Sequence, residues 1–243
     1  AFINADIRSS DDLMELLMLT DAVRREFPEV ELGLIMPYLP YARQDRVMVP
    51  GESLSIKVIA SIINAQNYTW VKVWDAHSDV GVALLDRCEN VSQYELVKAV
   101  SLKDFPTPKD TVIVSPDAGA EKKIFAFAKE LGFENVIRAG KVRDVSSGKI
   151  TGTEVYVPEP ALYKTDKDFL IVDDICDGGR TFIELAKKLR PMTTGKIKLL
   201  ITHGIFSKGI EVFDGIIDEV LVINNLGGAV STSSVVVRDL WLG

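Results

Sequence analysis

The sequence predicts an α/β protein built as two halves, each a mainly parallel sheet flanked by helices, with a β-hairpin flap in the second. Three observations lead there. Short apolar runs of strand length alternate with longer stretches of helical periodicity from end to end. The run Leu32–Met36, ended by Pro37, has no in-and-out alternation, the pattern of a strand buried on both faces. The breakers Pro106, Thr107 and Pro108 then divide the alternation into two similar series. Strands that alternate with helices need right-handed crossovers, and so pair in parallel.

In the first half, residues 10–27 form a helix that puts Leu13, Leu16, Leu17 and Val23 on one stripe, with Ser9, Ser10, Asp11 and Asp12 as capping oxygens. A second helix is expected over 53–67, a strand rich in β-formers over 69–74, and a helix over 92–98. In the second half, strands are expected at 111–115, 135–138, 169–173, 197–202 and 219–223, with helices at 120–131, 181–189 and 208–213. The polar stretch 143–152, with Ser146-Ser147-Gly148 between extendable segments, reads as a hairpin or flap. The expected domains are 1–104 and 105–243.

At roughly 150 residues per domain, 243 residues suit one large or two small domains. The 47% hydrophobic content excludes a disordered or fibrous chain. A net charge of −7 argues against nucleic acid as a partner, because phosphate-backbone affinity is carried by excess Lys and Arg. It leaves room for a small phosphorylated ligand. Two cysteines, Cys88 and Cys176, make no disulfide framework, so a reducing compartment is the default. No apolar run is long enough to span a bilayer, and no signal peptide is expected. The start at Ala1-Phe2, without methionine, suggests a processed or truncated product.

Ligands of open α/β sheets collect at the carboxyl ends of strands. Four predicted strands end there in polar clusters: Asp75-Ala76-His77, Asp117-Ala118-Gly119, Asp173 through Thr181, and Thr202-His203-Gly204. The third is the most specific. An apolar strand delivers Asp173 and Asp174, then Asp177, Gly178, Gly179 and, after Arg180, Thr181 at a helix start. Glycines let successive N–H groups converge, and the helix N-terminus adds positive potential for a phosphate. The acids suit ribose hydroxyls or Mg²⁺, which prefers oxygen ligands. Three aspartates with paired glycines exceed what an ordinary acidic cap requires.

This stretch resembles the phosphoribosyl-binding loop of type I phosphoribosyltransferases and of the ribose-phosphate diphosphokinases, or PRPP synthetases. Further motifs favour the diphosphokinases. Pro40-Tyr41-Ala42-Arg43-Gln44-Asp45-Arg46 is similar to one of their signatures. Asp75-Ala76-His77 resembles their Asp-Leu-His metal motif, with Asp86 at a further acidic position. Val114 to Gly119 is similar to another of their loops, and Lys141-Val142-Arg143 to the catalytic flap. The match runs in order from about Ser9 to Asn224.

The resemblance implies two phosphoribosyltransferase-like domains and transfer of the β,γ-diphosphoryl group of ATP to the C1 hydroxyl of a ribose 5-phosphate-type acceptor, releasing AMP. It implies that Arg43 and Gln44 hold ATP, with Arg46 and His77 near its phosphates. Asp75, His77, Asp86 and Asp117 would serve Mg²⁺. Asp117, Asp173 and Asp174 would face the ribose, and Asp177, Gly178, Gly179, Arg180 and Thr181 its 5-phosphate. Lys141 and Arg143, with His77 and Arg43, would stabilise the transferring group. A cytoplasmic homo-oligomer is implied likewise.

Four departures qualify the likeness. The chain begins at a point resembling the middle of the family's first domain. Val47 to Glu52 replaces a basic stretch, which puts the usual allosteric control in doubt. Asn90 stands where a metal-site acid is expected. Arg180 stands where the family places glycine, and a guanidinium there could meet a second phosphate, as in ADP-ribose. Two further alternatives are a non-catalytic regulatory homologue and a phosphoribosyltransferase. Among single residues, His203 reads as structural, Lys122 and Lys123 as an exposed helix face, and Cys176 as no nucleophile, because no histidine is placed to activate it.

Overall fold

The computed structural model describes residues 1–100, 105–143, 150–157 and 164–240, with only the backbone described at 141–143 and 150–153. The chain divides into two units, Ala1–Gln93 and Tyr94–Gly243. This division falls ahead of the one after residue 104 that Pro106–Pro108 pointed to.

The first unit is a four-stranded, wholly parallel sheet in the order β1 (Phe2–Asn4), β2 (Gly33–Met36), β3 (Val71–Trp74) and β4 (Cys88–Val91). Its helices are α1 (Ser10–Glu26), α2 (Ser55–Asn64) and α3 (Asp79–Leu84). A capping box starts α1: the Asp12 N–H donates to Ser9 Oγ, and the Ser9 N–H to Asp12 Oδ2. Its first turn carries acids and its last Arg24 and Arg25, which suits the helix dipole. The core gathers Leu34, Met36, Ile56, Ile63 and Val73, all without solvent exposure.

The second unit carries a seven-stranded sheet. Its strands are β5 (Thr111–Ser115), β6 (Val136–Arg143), β7 (Ile150–Tyr156), β8 (Asp168–Cys176), β9 (Ile197–Gly204), β10 (Glu219–Asn224) and β11 (Val236–Asp239). They lie in the order β11-β10-β9-β8-β5-β6-β7. All neighbours are parallel except β6 and β7, an antiparallel pair running from Arg138↔Tyr156 to Arg143↔Ile150. The flap expected over 143–152 falls on this hairpin, and residues 144–149 lie outside the described residues. The helices are α4 (Gln93–Ala99), α5 (Glu121–Leu131) and α6 (Arg180–Leu189). Lys98 of α4 pairs with Glu130 of α5 at 2.9 Å, which ties α4 to this unit. The core packs Val112, Ile171, Leu185, Leu199 and Val222 between sheet and helices.

From β5 the chain proceeds to β6 on one side, and from β8 to β9 on the other. The order therefore reverses between β5 and β8. At such a switch point, the connections after two adjacent strands leave in opposite directions and open a crevice beyond their carboxyl ends. Beyond the last partners, Val114↔Ile171, β5 leads into Asp117 and β8 into Asp173 and Asp174 at this crevice.

Candidate active site

In the first unit, the carboxyl ends of β2 and β3 lead into two polar segments. The loop after β2 contains Tyr41, held in left-handed backbone (φ 60), with Ala42 buried beneath it. The turn is closed by the Gln44 N–H donating to the Tyr41 carbonyl at 3.0 Å. Arg43 is exposed, and the Gln44 amide donates to the Arg46 carbonyl at 3.1 Å. Arg46 holds Asp45 through Nε at 2.7 Å and Nη2 at 3.2 Å. The Asp45 side chain is only 6% exposed. The Arg46 guanidinium keeps its carboxyl below the usual carboxylate range, helped by Ser78 and the His77 charge. Glu52 does not pair with these arginines; it accepts the N–H groups of Met48 and Val49 and so shapes the loop that replaces the basic stretch.

At the end of β3, Asp75 is buried with φ 41, and its N–H donates to the Val91 carbonyl at 2.8 Å. His77 is exposed two residues on. Asn90 takes a backbone role: its Oδ1 accepts the Ala76 N–H at 2.9 Å and fixes the Asp-Ala-His turn. Asp86 does not join this cluster. It precedes β4, its N–H donates to Asn64 Oδ1, and the Arg87 carbonyl accepts the N–H of Val71 at the start of β3. At about 3.3 Å per residue, that is the opposite edge of the sheet from Asp75. The equal spacing in sequence hides this, because α3 carries the chain back to the amino end before β4 begins.

In the second unit, Asp117 follows β5. Its Oδ1 accepts the N–H groups of Gly119 at 3.0 Å and Ala120 at 3.2 Å, an Asx turn that starts α5. Asp173 and Asp174 come late in β8. Burial pushes the Asp173 carboxyl well above its ordinary range, followed by the charge of Asp174 and, more weakly, that of Asp117. This crowding of acids is what ribose hydroxyls or a divalent cation would relieve. Among the described residues, no three His, Cys, Asp or Glu side chains are grouped to hold a metal by themselves. The donors nonetheless suit Mg²⁺, which is usually bound by one or two carboxylates together with substrate phosphates.

Beyond β8, Asp177 accepts a hydrogen bond from the Ser207 hydroxyl. Gly179 is left-handed (φ 74), and a Cβ there would meet the Phe213 ring at 2.7 Å, so both backbone and space require glycine. Gly179 brings no side chain to cap α6, which leaves the positive end of the helix facing the Asp177–Gly179 turn. Thr181 lies in the first turn of α6, half-buried. Arg180 behaves differently from the phosphate contact expected of it. Its side chain is 90% exposed and its Nε donates to Glu184 at 2.8 Å, one turn along the solvent face.

Cys176 is fully buried, its thiol pushed up to about 12 chiefly by burial, so it is no nucleophile at neutral pH. His203 is buried in β9, with Nδ1 3.3 Å from the Asn224 amide, a structural position. Lys141 and Arg143 lie on the described backbone of β6, and their side chains lie outside the described residues. The turn of Ser207 and Lys208, which borders the phosphate loop, was not foreseen; its signal was its place directly after the Thr202-His203-Gly204 strand end.

The switch-point acids, the glycine turn at the head of α6 and the antiparallel hairpin at one edge together define a phosphoribosyltransferase-like α/β protein. A solved phosphoribosylpyrophosphate synthetase from Mycobacterium smegmatis superposes with a TM-score of 0.78 over 98% of this chain and 76% of that one, at 22% identity, and shares the fold. Residues 2–66 match the model of the N-terminal domain of ribose phosphate pyrophosphokinase. The ribose-phosphate pyrophosphokinase of Thermococcus kodakarensis is 31% identical over 234 residues, covering 96% of this chain and 79% of that protein. That of Gloeobacter violaceus is 33% identical over 221 residues, covering 89% and 64%. The chain belongs to the ribose-phosphate pyrophosphokinase family of enzymes.

Proposed function

We propose that the chain transfers the diphosphoryl group of ATP to the C1 hydroxyl of ribose 5-phosphate, giving phosphoribosyl diphosphate and AMP. The observation that carries this reading is the crowding of acids at the β5–β8 switch point beside an anion-binding turn at the start of α6, in a chain of this family. The C1 oxygen forms a bond to the β-phosphorus, the bond from that phosphorus to the α–β bridging oxygen breaks, and the C1 hydroxyl proton is given up. Catalysis is by positioning and charge, without a protein nucleophile.

In this reading Arg43 and Gln44 hold ATP, while Arg46 and His77 lie along its phosphates. Asp173 and Asp174 accept hydrogen bonds from the ribose hydroxyls, with Asp117 beside them, and Asp177, Gly178, Gly179 and Thr181 grip the 5-phosphate. Lys141 and Arg143 close on the transferring group and offset its charge in the transition state. Asp75 in the first unit and Asp117 in the second are each a carboxylate that would serve Mg²⁺, and the ion would supply charge neutralisation on the phosphoryl oxygens when bound. Asp86, at the far edge of its sheet, has no part in this.

Incubation with ATP, ribose 5-phosphate and Mg²⁺ is expected to release AMP in step with phosphoribosyl diphosphate. A chelator should stop the reaction and added Mg²⁺ restore it. Absence of AMP would leave a regulatory homologue, and consumption of phosphoribosyl diphosphate with a base but without ATP would identify a transferase. Faster turnover of ADP-ribose than of ribose 5-phosphate would replace the acceptor. Arg180, the residue that suggests that substrate, is engaged by Glu184.

A further inference from the structure

We propose that Lys208 recognises the acceptor's phosphate, supplying at the glycine turn the mobile cation that Arg180 does not. This rests on the assignment of Asp177, Gly178, Gly179 and Thr181 to the acceptor phosphate. The turn carrying Lys208 is built onto that loop. The N–H groups of Ile205 and Phe206 both donate to the Cys176 carbonyl, at 2.8 and 3.1 Å. The Ser207 hydroxyl donates to Asp177 Oδ1. Phe206 (φ 48) and Gly209 (φ 75) bend the chain at either side of Ser207-Lys208, so these two residues are presented to the loop rather than continuing a helix.

A Cβ built on Gly178 would lie 3.5 Å from Lys208 Cγ. The aliphatic stem of Lys208 therefore passes over the bare backbone of Gly178, with the ammonium three bonds further out. Lys208 is exposed and takes no ion pair among the described residues. Arg180, the other cation beside the turn, is committed to Glu184. A lysine ammonium is a compact charge with three rotatable donors, suited to phosphate oxygens whose exact position varies during a catalytic cycle. Packing of the stem holds it near the loop, and its four rotatable bonds let it follow the phosphate.

The full chain should be titrated calorimetrically with ribose 5-phosphate and, separately, with ribose, and assayed for turnover, as wild type, Lys208→Ala, Lys208→Arg and Lys187→Ala. Lys187, on the exposed face of α6, controls for a general change of charge. Lys208→Ala is expected to weaken ribose 5-phosphate binding and raise its KM by about tenfold, the scale of one charge-assisted hydrogen bond. Ribose binding and the KM for ATP should stay within about twofold, with Lys208→Arg recovering most of the loss and Lys187→Ala none of it. If Lys208→Ala binds ribose 5-phosphate as wild type does, or loses ribose equally, the assignment is wrong. Tight, Lys208-dependent binding of ribose 5-phosphate without AMP release would instead overturn the reaction proposed above and leave the role of Lys208 standing.

Discussion

Asp173 and Asp45 are both carboxylates near strand ends, and their surroundings drive them in opposite directions. Asp45 is held low by the Arg46 guanidinium. Because Arg46 is 70% exposed, this pair adds little to stability, and its consequence is the direction in which Arg46 points. Asp173 is pushed up by burial and by the charge of Asp174. Its raised folded value means that, above the ordinary aspartate pKa of about 3.9, the native state binds more protons than the unfolded chain. Stability contributed by this group therefore falls as pH rises through that window, and the full penalty applies above it. Asp173→Asn removes the charge, so it should raise the melting temperature of the ligand-free protein at pH 8 by about 3 °C. The gain should vanish near pH 4, while ribose 5-phosphate binding is lost. Equal melting of the two proteins at pH 8 would show that the acids are already compensated.

At the scale of elements, the turn between β8 and α6 depends on one glycine. In Gly179→Ala the new methyl meets the Phe213 ring, which is fully buried and cannot retreat, and the backbone must stay left-handed. Strain of about 1–2 kcal/mol from the backbone adds to an overpacking cost of about 1–3 kcal/mol. The variant should unfold at lower denaturant and show a raised KM for ribose 5-phosphate. Gly178→Ala meets Lys208 Cγ at ordinary contact distance and should cost clearly less stability. A larger loss at Gly178 would contradict the geometry. The glycines, the three aspartates and the buried strand before them were legible in the sequence because each rests on a local requirement. So were α1, bounded by its capping box, and β5, buried throughout. The elements that escaped were β1, β4 and β11, which lie at sheet edges and need only one neighbour, and the six-residue α3. Residues 208–213 carry a helical pattern, yet Gly209 turns left-handed and only Glu211–Phe213 forms a short 3-10 turn. The strand expected over 135–138 runs on to Arg143, because pairing with β7 extends β6 through Gly140 and Lys141. The displacement of Asp86 and the engagement of Arg180 depend on crossover direction and side-chain partners, which no local pattern encodes.

At the scale of the molecule, the two sheets share no strand, and each closes its own core. The predicted ATP contacts at Arg43–Arg46 belong to the first core, and the acceptor contacts at residues 173–181 to the second. Truncating Ile63, fully buried in the first, or Leu199, fully buried in the second, should each cost about 2–5 kcal/mol. If the cores unfold as separate cooperative units, calorimetry resolves two transitions, with Ile63→Ala lowering one and Leu199→Ala the other. A ligand stabilises only the unit whose native state it binds, by an amount set by its concentration over Kd. Ribose 5-phosphate should therefore raise the transition that Leu199→Ala lowers and leave the other in place. A single transition moved equally by both truncations would mean that the chain unfolds as one body. A ribose 5-phosphate shift confined to the transition sensitive to Ile63 would move the acceptor site to the first unit, against the crowding of acids at the β5–β8 switch point.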